Sequence, residues 1–381
     1  MEAYPSVSIR PHAKAHKCAQ LAQMQLQLLG PAAVGMCCQK VTEAEALVAG
    51  GICDVFISNE VVAAPKITRM VALAAQGARV SVVVDALQPL EQLAAAAHAW
   101  GTSVDVLVEI NAGQDRCGVD TPDEAAQLAQ HISRLSSQTN GSVNFTGIQA
   151  YHGGLQHVRD PVQRAAAVQA VVDRAAAAVD AIGSQAGLEC RIVTGGGSGT
   201  YRLEAGSGVF TEVQPGSFAF GDADYAKNEQ LGGQQGEWQQ SLWVMAQVMS
   251  VSAARACAIV DAGLKAVSLD SGPPVLLEQP NVAAGLVAPP PGTSSSSSSS
   301  GSTSSGSSSS SSGAGSQQTL KLPDVSFEGV EFENGGDEHG KLLWPQAIPQ
   351  LPPSCRPLAP SCCCSPATAT PRSTCTTASS R

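Results

Sequence analysis

VSVVVDALQPLEQLAAAAHAWGTSVDVLVEI, residues 80–110, carries two unlike periodicities in one short run. Residues 80–84 and 104–110 are rich in β-branched apolar residues, broken only by Ser81, Asp105 and Glu109, whereas the stretch between them is Ala-rich with a helical period. A strand, a helix and a second strand in so short a span form a βα repeat, with both faces of the strand covered. The alternation continues outward from residue 7 to about residue 225, and predicts strands over 7–10, 34–38, 55–57, 80–84, 104–110, 147–151, 192–194 and 212–214. Helical stretches such as 42–49 and 161–181 lie between them. Eight such units predict an α/β fold, a closed (β/α)8 barrel of TIM type over residues 1–228. Strand interiors in a barrel fill the core, and chemistry collects just after each strand. This sequence places Lys14, Gln39, Asn59, Arg116, His152 and the glycines from Gly195 there.

Past residue 230 the character changes. Residues 241–251 and 256–261 read as strands without comparable helices between them, so a smaller β-domain over 229–340 is expected. Residues 293–316 are almost pure Ser and Gly and cannot bury enough apolar surface to order themselves, which makes them a disordered insertion. Residues 341–381 are rich in Pro, Ser, Cys and Thr with neither period, and read as a disordered tail.

In a chain of 381 residues, 43% hydrophobic composition is enough for a sizeable core. Charged residues make up only 14% and the formal net charge is −10, so no basic face is available for a phosphate backbone, and nucleic acid is excluded as a partner. No apolar run approaches the roughly 20 residues needed to cross a bilayer, and the first ten residues lack a signal-peptide core. No membrane association and a cytoplasmic location are expected, with organelle targeting the alternative because the N-terminus reads as truncated. Twelve cysteines are scattered and Cys362, Cys363 and Cys364 are adjacent, unlike a disulfide framework.

RPHAKAHK, residues 10–17, follows the first strand and puts several ionisable groups at the barrel mouth. A lysine there can be a nucleophile if neighbouring charge and partial desolvation lower its pKa. Taken alone, the octapeptide fits a solvated basic turn better. Gly195-Gly196-Gly197-Ser198-Gly199 follows the apolar Ile192-Val193-Thr194, and backbone N–H groups in such a run can close around a phosphate. A mobile turn explains the glycines equally well, so they gain weight only together with Lys14.

The runs RPHAKAHK, CCQKVTEAEALVAGG, DVFISNEVV, VLVEINAGQDRCGV, QAYHGGLQH, VTGGGSGTY and EVQPGSFAFGD resemble, in this order and spacing, those of D-threonine aldolases in the D-threonine aldolase and D-serine dehydratase family. The resemblance covers about residues 9–339 apart from the serine insertion. It implies an alanine-racemase-type barrel with an accompanying β-domain, and pyridoxal 5'-phosphate held on Lys14, with Lys17 secondary. Arg116 would lie near the cofactor's phenolic oxygen, where a cation stabilises negative charge; its plainer reading is a surface salt bridge. Tyr151 and His152 would line the ring and substrate, His152 with a catalytic role, although either fits an ordinary core position. Thr194, Gly196, Gly197 and Ser198 would hold the phosphate, and Tyr225 would close the pocket. The implied reaction is retro-aldol cleavage of D-threonine and related D-β-hydroxy-α-amino acids to glycine and an aldehyde. The alternatives are a D-serine dehydratase, releasing pyruvate and ammonia, and a non-catalytic cofactor-binding homologue. A small D-amino acid is the implied partner, and a homodimer is the implied assembly.

The family also uses a divalent metal, manganese or similar, on the histidine and aspartate of a His-x-Asp-Pro-Thr run. No such run occurs in the chain, so no metal ligand is assigned. His339, in Asp337-Glu338-His339-Gly340, matches an earlier family segment. An out-of-frame tail after about residue 341 would account for the loss. Codons for residues 368–377 exist that, read one base earlier, spell His-Cys-Asp-Pro-Thr-Val-Asn-Leu-His-Asp, while the cysteine codons shift to leucine and give an apolar strand. Relatives also carry a strand and helix ahead of the Lys14 strand, so the chain is expected to be truncated at both ends and to turn over poorly.

Overall fold

The structure, a computed structural model, describes residues 3–230, 238–277 and 329–344 and the backbone of 361–365. Its larger sheet contains β1 (Ser8–Ile9), β2 (Met36–Cys38), β3 (Asp54–Ile57), β4 (Arg79–Val84), β5 (Val104–Ile110), β6 (Val143–Ala150), β7 (Ile192–Gly195) and β8 (Glu212–Val213). The spatial order is β1-β8-β7-β6-β5-β4-β3-β2 and every pairing is parallel. The two ends of this row meet. Ile9 bridges Ala33 and His12 bridges Cys37, both parallel, while Cys37 N–H donates to the Pro11 carbonyl at 2.8 Å. The sheet therefore closes into the expected (β/α)8 barrel, which leaves no open edge between β1 and β2.

Alternation along each strand sorts the side chains. Met36, Val55, Val82, Val106 and Ile148 face the surrounding helices in the main hydrophobic core, and Cys37, Phe56, Val83 and Leu107 form a separate cluster inside the barrel. Further along the strands the interior turns polar. Glu109, Gln149, Thr194, Glu212 and Gln214 are all buried. Gln149 Nε2 donates to Glu109 at 2.6 Å, Gln214 Nε2 donates to Gln149 Oε1 and to Thr194 Oγ1, and the Thr194 hydroxyl donates to Glu212 at 2.8 Å. Arg10, also buried, closes this layer with ion pairs to Glu212 at 3.0 Å and Asp54 at 2.5 Å. A buried network of this kind is tolerable because its members satisfy one another.

Local chemistry fixes the elements between the strands. Thr121 and Glu124 form a reciprocal capping box on the helix Pro122–Gln138, and Asp160 caps Pro161–Ala181 by accepting from Gln163 N–H at 2.7 Å. The register between β5 and β6 shifts at Val106/Leu107, which leaves Thr146 as the extra residue of a bulge. Gly147 follows with φ +150°, and a Cβ there would lie 1.8 Å from the Ile192 carbonyl oxygen, so β6 and β7 approach too closely for any other residue.

The smaller unit holds an antiparallel sheet built on β9 (Val244–Ser252) and β10 (Cys257–Val260), with β11 (Val275–Leu277), β12 (Glu331–Asn334), β13 (Gly340–Leu343) and β14 (Ser361–Ser365). Its compact unit begins at Val244, while the described residues up to Trp243 belong with the barrel, beyond the boundary expected at 228. The extra residues are held there by Trp238, which packs on Tyr201 and Phe218 and donates from Nε1 to the Ser198 carbonyl at 3.1 Å. The serine run at 293–316 lies outside the described residues, as does most of 341–381. Within that tail, the expectation of no regular structure fails at two places: β13 continues to Leu343, and Ser361–Ser365 pairs antiparallel with β9. A ladder needs only backbone groups and small side chains, so the missing hydrophobic period did not prevent pairing.

Candidate active site

Lys14 lies in a short 3-10 turn, Ala13–Ala15, directly after β1. The buried His12 ring anchors that turn: Nδ1 accepts from Lys14 N–H at 3.2 Å and Nε2 lies 3.2 Å from Ser58 Oγ. With Nδ1 accepting, the ring proton sits on Nε2 and is donated to Ser58, whose hydroxyl donates in turn to the Cys38 carbonyl at 3.2 Å. Burial, and next the Lys14 charge, hold His12 well below the usual histidine range, so it stays neutral. The ends of β1, β2 and β3 thereby clamp the Lys14 backbone.

The Lys14 amine is half-buried, with Nζ 5.4 Å from the Tyr151 ring centroid, and Arg116 Cζ lies 6.0 Å from the same centroid. Burial lowers the Lys14 pKa most, with Arg116 adding repulsion and Cys37 and Glu43 opposing. Burial also pushes the Cys37 thiol up to about 12, so at neutral pH it carries no charge with which to oppose the shift. A lysine biased toward its free amine is a nucleophile. Lys14, Arg116 and Tyr151 line one cleft of about 280 Å³, open space included, together with Gln149 and Gln214 from the polar barrel layer. Burial raises the Tyr151 phenol, and its proximity to Tyr225 raises it further.

After β7 the chain makes the glycine turn. Gly196 has φ +68°, which favours glycine. The Gly199 N–H donates to Gln156 Oε1 at 2.8 Å and the Gly197 N–H to Thr200 Oγ1 at 3.3 Å, so both point into the protein. Ser198 differs. Its Oγ accepts from Phe218 N–H at 3.0 Å, while its own N–H and hydroxyl have no acceptor among the described residues. Ser198 and Gly199 line a second cleft with Ser217, Asp222 and Tyr225. Burial pushes the Tyr225 phenol up to about 12 against an opposing hydrogen bond with Ser217, so the cleft presents neutral hydroxyl donors. Outside it, Asp224 pairs with His157 at 2.6 Å and with Arg159 at 2.5 Å, fixing the turn that carries Tyr225.

The family model for the alanine racemase N-terminal domain matches residues 1–224, and a serine dehydratase domain model matches 241–367. The chain belongs to the alanine racemase N-terminal domain family. Its sequence is 44% identical over 276 residues to a D-threonine aldolase of an Arthrobacter species, covering 72% of this chain and 69% of that protein. A 3-hydroxy-D-aspartate aldolase of Paracoccus denitrificans is 42% identical over the same shares. The structure of D-threonine aldolase from Filomicrobium marinum superimposes with a TM-score of 0.74 at 37% identity, covering 96% of this chain and 81% of that one.

Membership of the alanine racemase N-terminal domain family implies pyridoxal phosphate, and the residues present fit it. A primary amine biased toward its neutral form faces an aromatic ring, and Ser198 offers unpartnered donors in a glycine turn. The first cleft brings together Lys14, Arg116 and Tyr151, and the second Ser198 and Tyr225. Lys17 is exposed at the end of the Lys14 turn, and Asn59 lines neither cleft. The Thr194 hydroxyl is engaged in the barrel layer with Glu212 and Gln214. His152 follows β6 and lines neither cleft; its Nδ1 is enclosed without a hydrogen-bond partner among the described residues, and burial lowers its pKa against opposing backbone hydrogen bonds. Reading the sequence missed His12, Ser58, Gln149, Gln214 and Ser217. Position two residues from an inward-facing neighbour could have found Gln149 and Gln214, but nothing local marks Ser217.

The histidine and aspartate pair expected for a metal has no counterpart among the described residues. The grouping there that could hold a cation is Glu60, Asp85 and Cys117, with ligand atoms within 4.8 Å of one another. Burial first, then Glu60, pushes the Cys117 thiol up to about 11. A protonated thiol is a poor cation ligand, so this grouping does not match the expected histidine and aspartate pair. Among the described residues no helix is long and apolar enough to cross a membrane.

Proposed function

We propose that the protein cleaves D-threonine and related D-β-hydroxy-α-amino acids to glycine and an aldehyde, with pyridoxal phosphate on Lys14. The observation that carries this reading is Lys14, whose backbone N–H is held by His12 and whose Nζ faces the Tyr151 ring that Arg116 also approaches. Pyridoxal phosphate supplies, when bound, an aldehyde that joins to amines and a ring that takes up the electrons of a breaking bond. Lys14 contributes the amine that captures and releases that aldehyde, and its lowered pKa keeps it reactive. Arg116 places positive charge where negative charge would collect on the ring. Ser198 and the hydrogen-bonded hydroxyl pair of Ser217 and Tyr225 would hold the phosphate, while Gly196 and Gly197 would let the backbone come close. As the base that accepts the β-hydroxyl proton we assign His152, which follows Tyr151 at the end of β6 and is biased by burial toward its neutral form.

The relatives favour carbon–carbon cleavage over dehydration. Two aldolases match at 44% and 42% identity, whereas a D-threo-3-hydroxyaspartate dehydratase of a Delftia species matches at 29%. Incubation of the protein with D-threonine and with D-serine separates the two. Acetaldehyde and glycine from D-threonine are expected; pyruvate from D-serine without acetaldehyde from D-threonine would assign the dehydratase reaction instead. The same experiment with an added chelator and with added manganese measures what a divalent metal contributes.

A further inference from the structure

Gln156 is only 2% exposed and belongs to the 3-10 turn Gly153–His157 after β6, one loop away from the glycine turn. Both ends of its amide are engaged. Oε1 accepts from Gly199 N–H at 2.8 Å, and Nε2 donates to Thr200 Oγ1 at 2.9 Å. The Thr200 hydroxyl donates onward to Glu204 Oε1 at 2.8 Å, which leaves its lone pairs for Gln156 and for the Gly197 N–H. The glycines are shaped to this side chain. A Cβ at Gly197 would lie 2.5 Å from Gln156 Oε1, and one at Gly199 would lie 2.9 Å from the Gln156 carbonyl oxygen. That carbonyl accepts from Asn228 Nδ2 at 2.8 Å, and Arg159 holds Asn228 Oδ1 at 2.6 Å. One residue thus ties together the loop after β6, the glycine turn and the segment carrying Tyr225.

We propose that Gln156 is a positioning residue for a phosphate monoester: its amide turns the Gly199 N–H inward directly and the Gly197 N–H inward through Thr200, leaving the Ser198 N–H and hydroxyl to face the phosphate. This rests on the pyridoxal phosphate reading above. Lys14 is clamped by His12 and Ser58 and shares no hydrogen bond with the Gln156 set, so phosphate recognition and aldehyde capture are separable. Gly197 and Gly199 are then required for packing on Gln156 as much as for ligand approach.

The two roles separate when pyridoxal phosphate is compared with pyridoxal, which has the same aldehyde and no phosphate. Binding of each to the full chain is measured by absorbance titration for the wild type, Gln156→Met and Thr200→Val, with thermal melts confirming folding. Loss of the amide should weaken pyridoxal phosphate by about 10-fold or more and leave pyridoxal within about twofold. Thr200→Val should act in the same direction and is read by the same ratio if Gln156→Met does not fold. A folded variant that keeps the wild-type preference, or loses both ligands equally, overturns the role of Gln156. A wild type with no preference for the phosphorylated compound overturns the cofactor reading itself.

Discussion

Replacing Glu204 by Gln should remove a pH-dependent loss of stability that the wild-type protein shows near neutrality. Glu204 is 4% exposed beneath the glycine turn. One carboxyl oxygen accepts from the Thr200 hydroxyl at 2.8 Å, and the other has no partner among the described residues. Burial lifts its pKa from 4.5 to about 7. Between those values the unfolded chain has released the proton while the folded chain retains it, so the folded state binds more protons and stability falls as pH rises. Below 4.5 both states are protonated and there is no penalty; above about 7 the penalty is complete. A span of about 2.5 pH units at about 1.36 kcal/mol per unit gives about 3 kcal/mol. Glutamine keeps an acceptor for Thr200 and has no charge to release. Urea unfolding at pH 5 and pH 8.5 should therefore show wild type and Glu204→Gln close together at pH 5 and the variant more stable by about 3 kcal/mol at pH 8.5. Parallel stability profiles for the two proteins would refute the reasoning.

Arg116→Met removes a cation beside Lys14 and raises the amine's pKa, so capture of pyridoxal phosphate at pH 8 should slow by about 3- to 10-fold, as read by stopped-flow absorbance. Arg10→Met leaves the Glu212 carboxylate buried without its partner, and the urea midpoint should fall by an amount equivalent to about 3–5 kcal/mol. His152→Gln should reduce D-threonine cleavage by about 10²- to 10⁴-fold while the cofactor still binds, which product assays and absorbance titration check separately.

The barrel was legible because short β-branched strands alternate with Ala-rich helices, a pattern few other folds share. The position of Lys14 and Gly195–Gly199 at the barrel mouth was legible because they follow strands, whereas their proposed roles came only from the family resemblance. The polar interior was not. Glu109 and Gln149 are single polar residues within largely apolar strands, and a strand taken as core filling hides them; Thr194 was singled out for the phosphate, and its hydroxyl is engaged with Glu212 instead. Their inward direction follows from alternation with Leu107 and its neighbours, but their mutual bonding across β5 to β8 depends on register, which distant sequence does not reveal. Ser217 and Gln156 lie in loops, where position is set by tertiary contacts. Ser361–Ser365 was missed because its pairing with β9 is made by backbone groups that no side-chain period reports.

The central claim concerns one amine, and mass spectrometry can locate it. The protein is mixed with pyridoxal phosphate, reduced with borohydride, digested and mapped. The cofactor-derived mass should appear on the peptide containing Lys14 and be absent from the Lys14→Ala protein. Labelling of another lysine in the wild type, with Lys14 unmodified, would contradict the account.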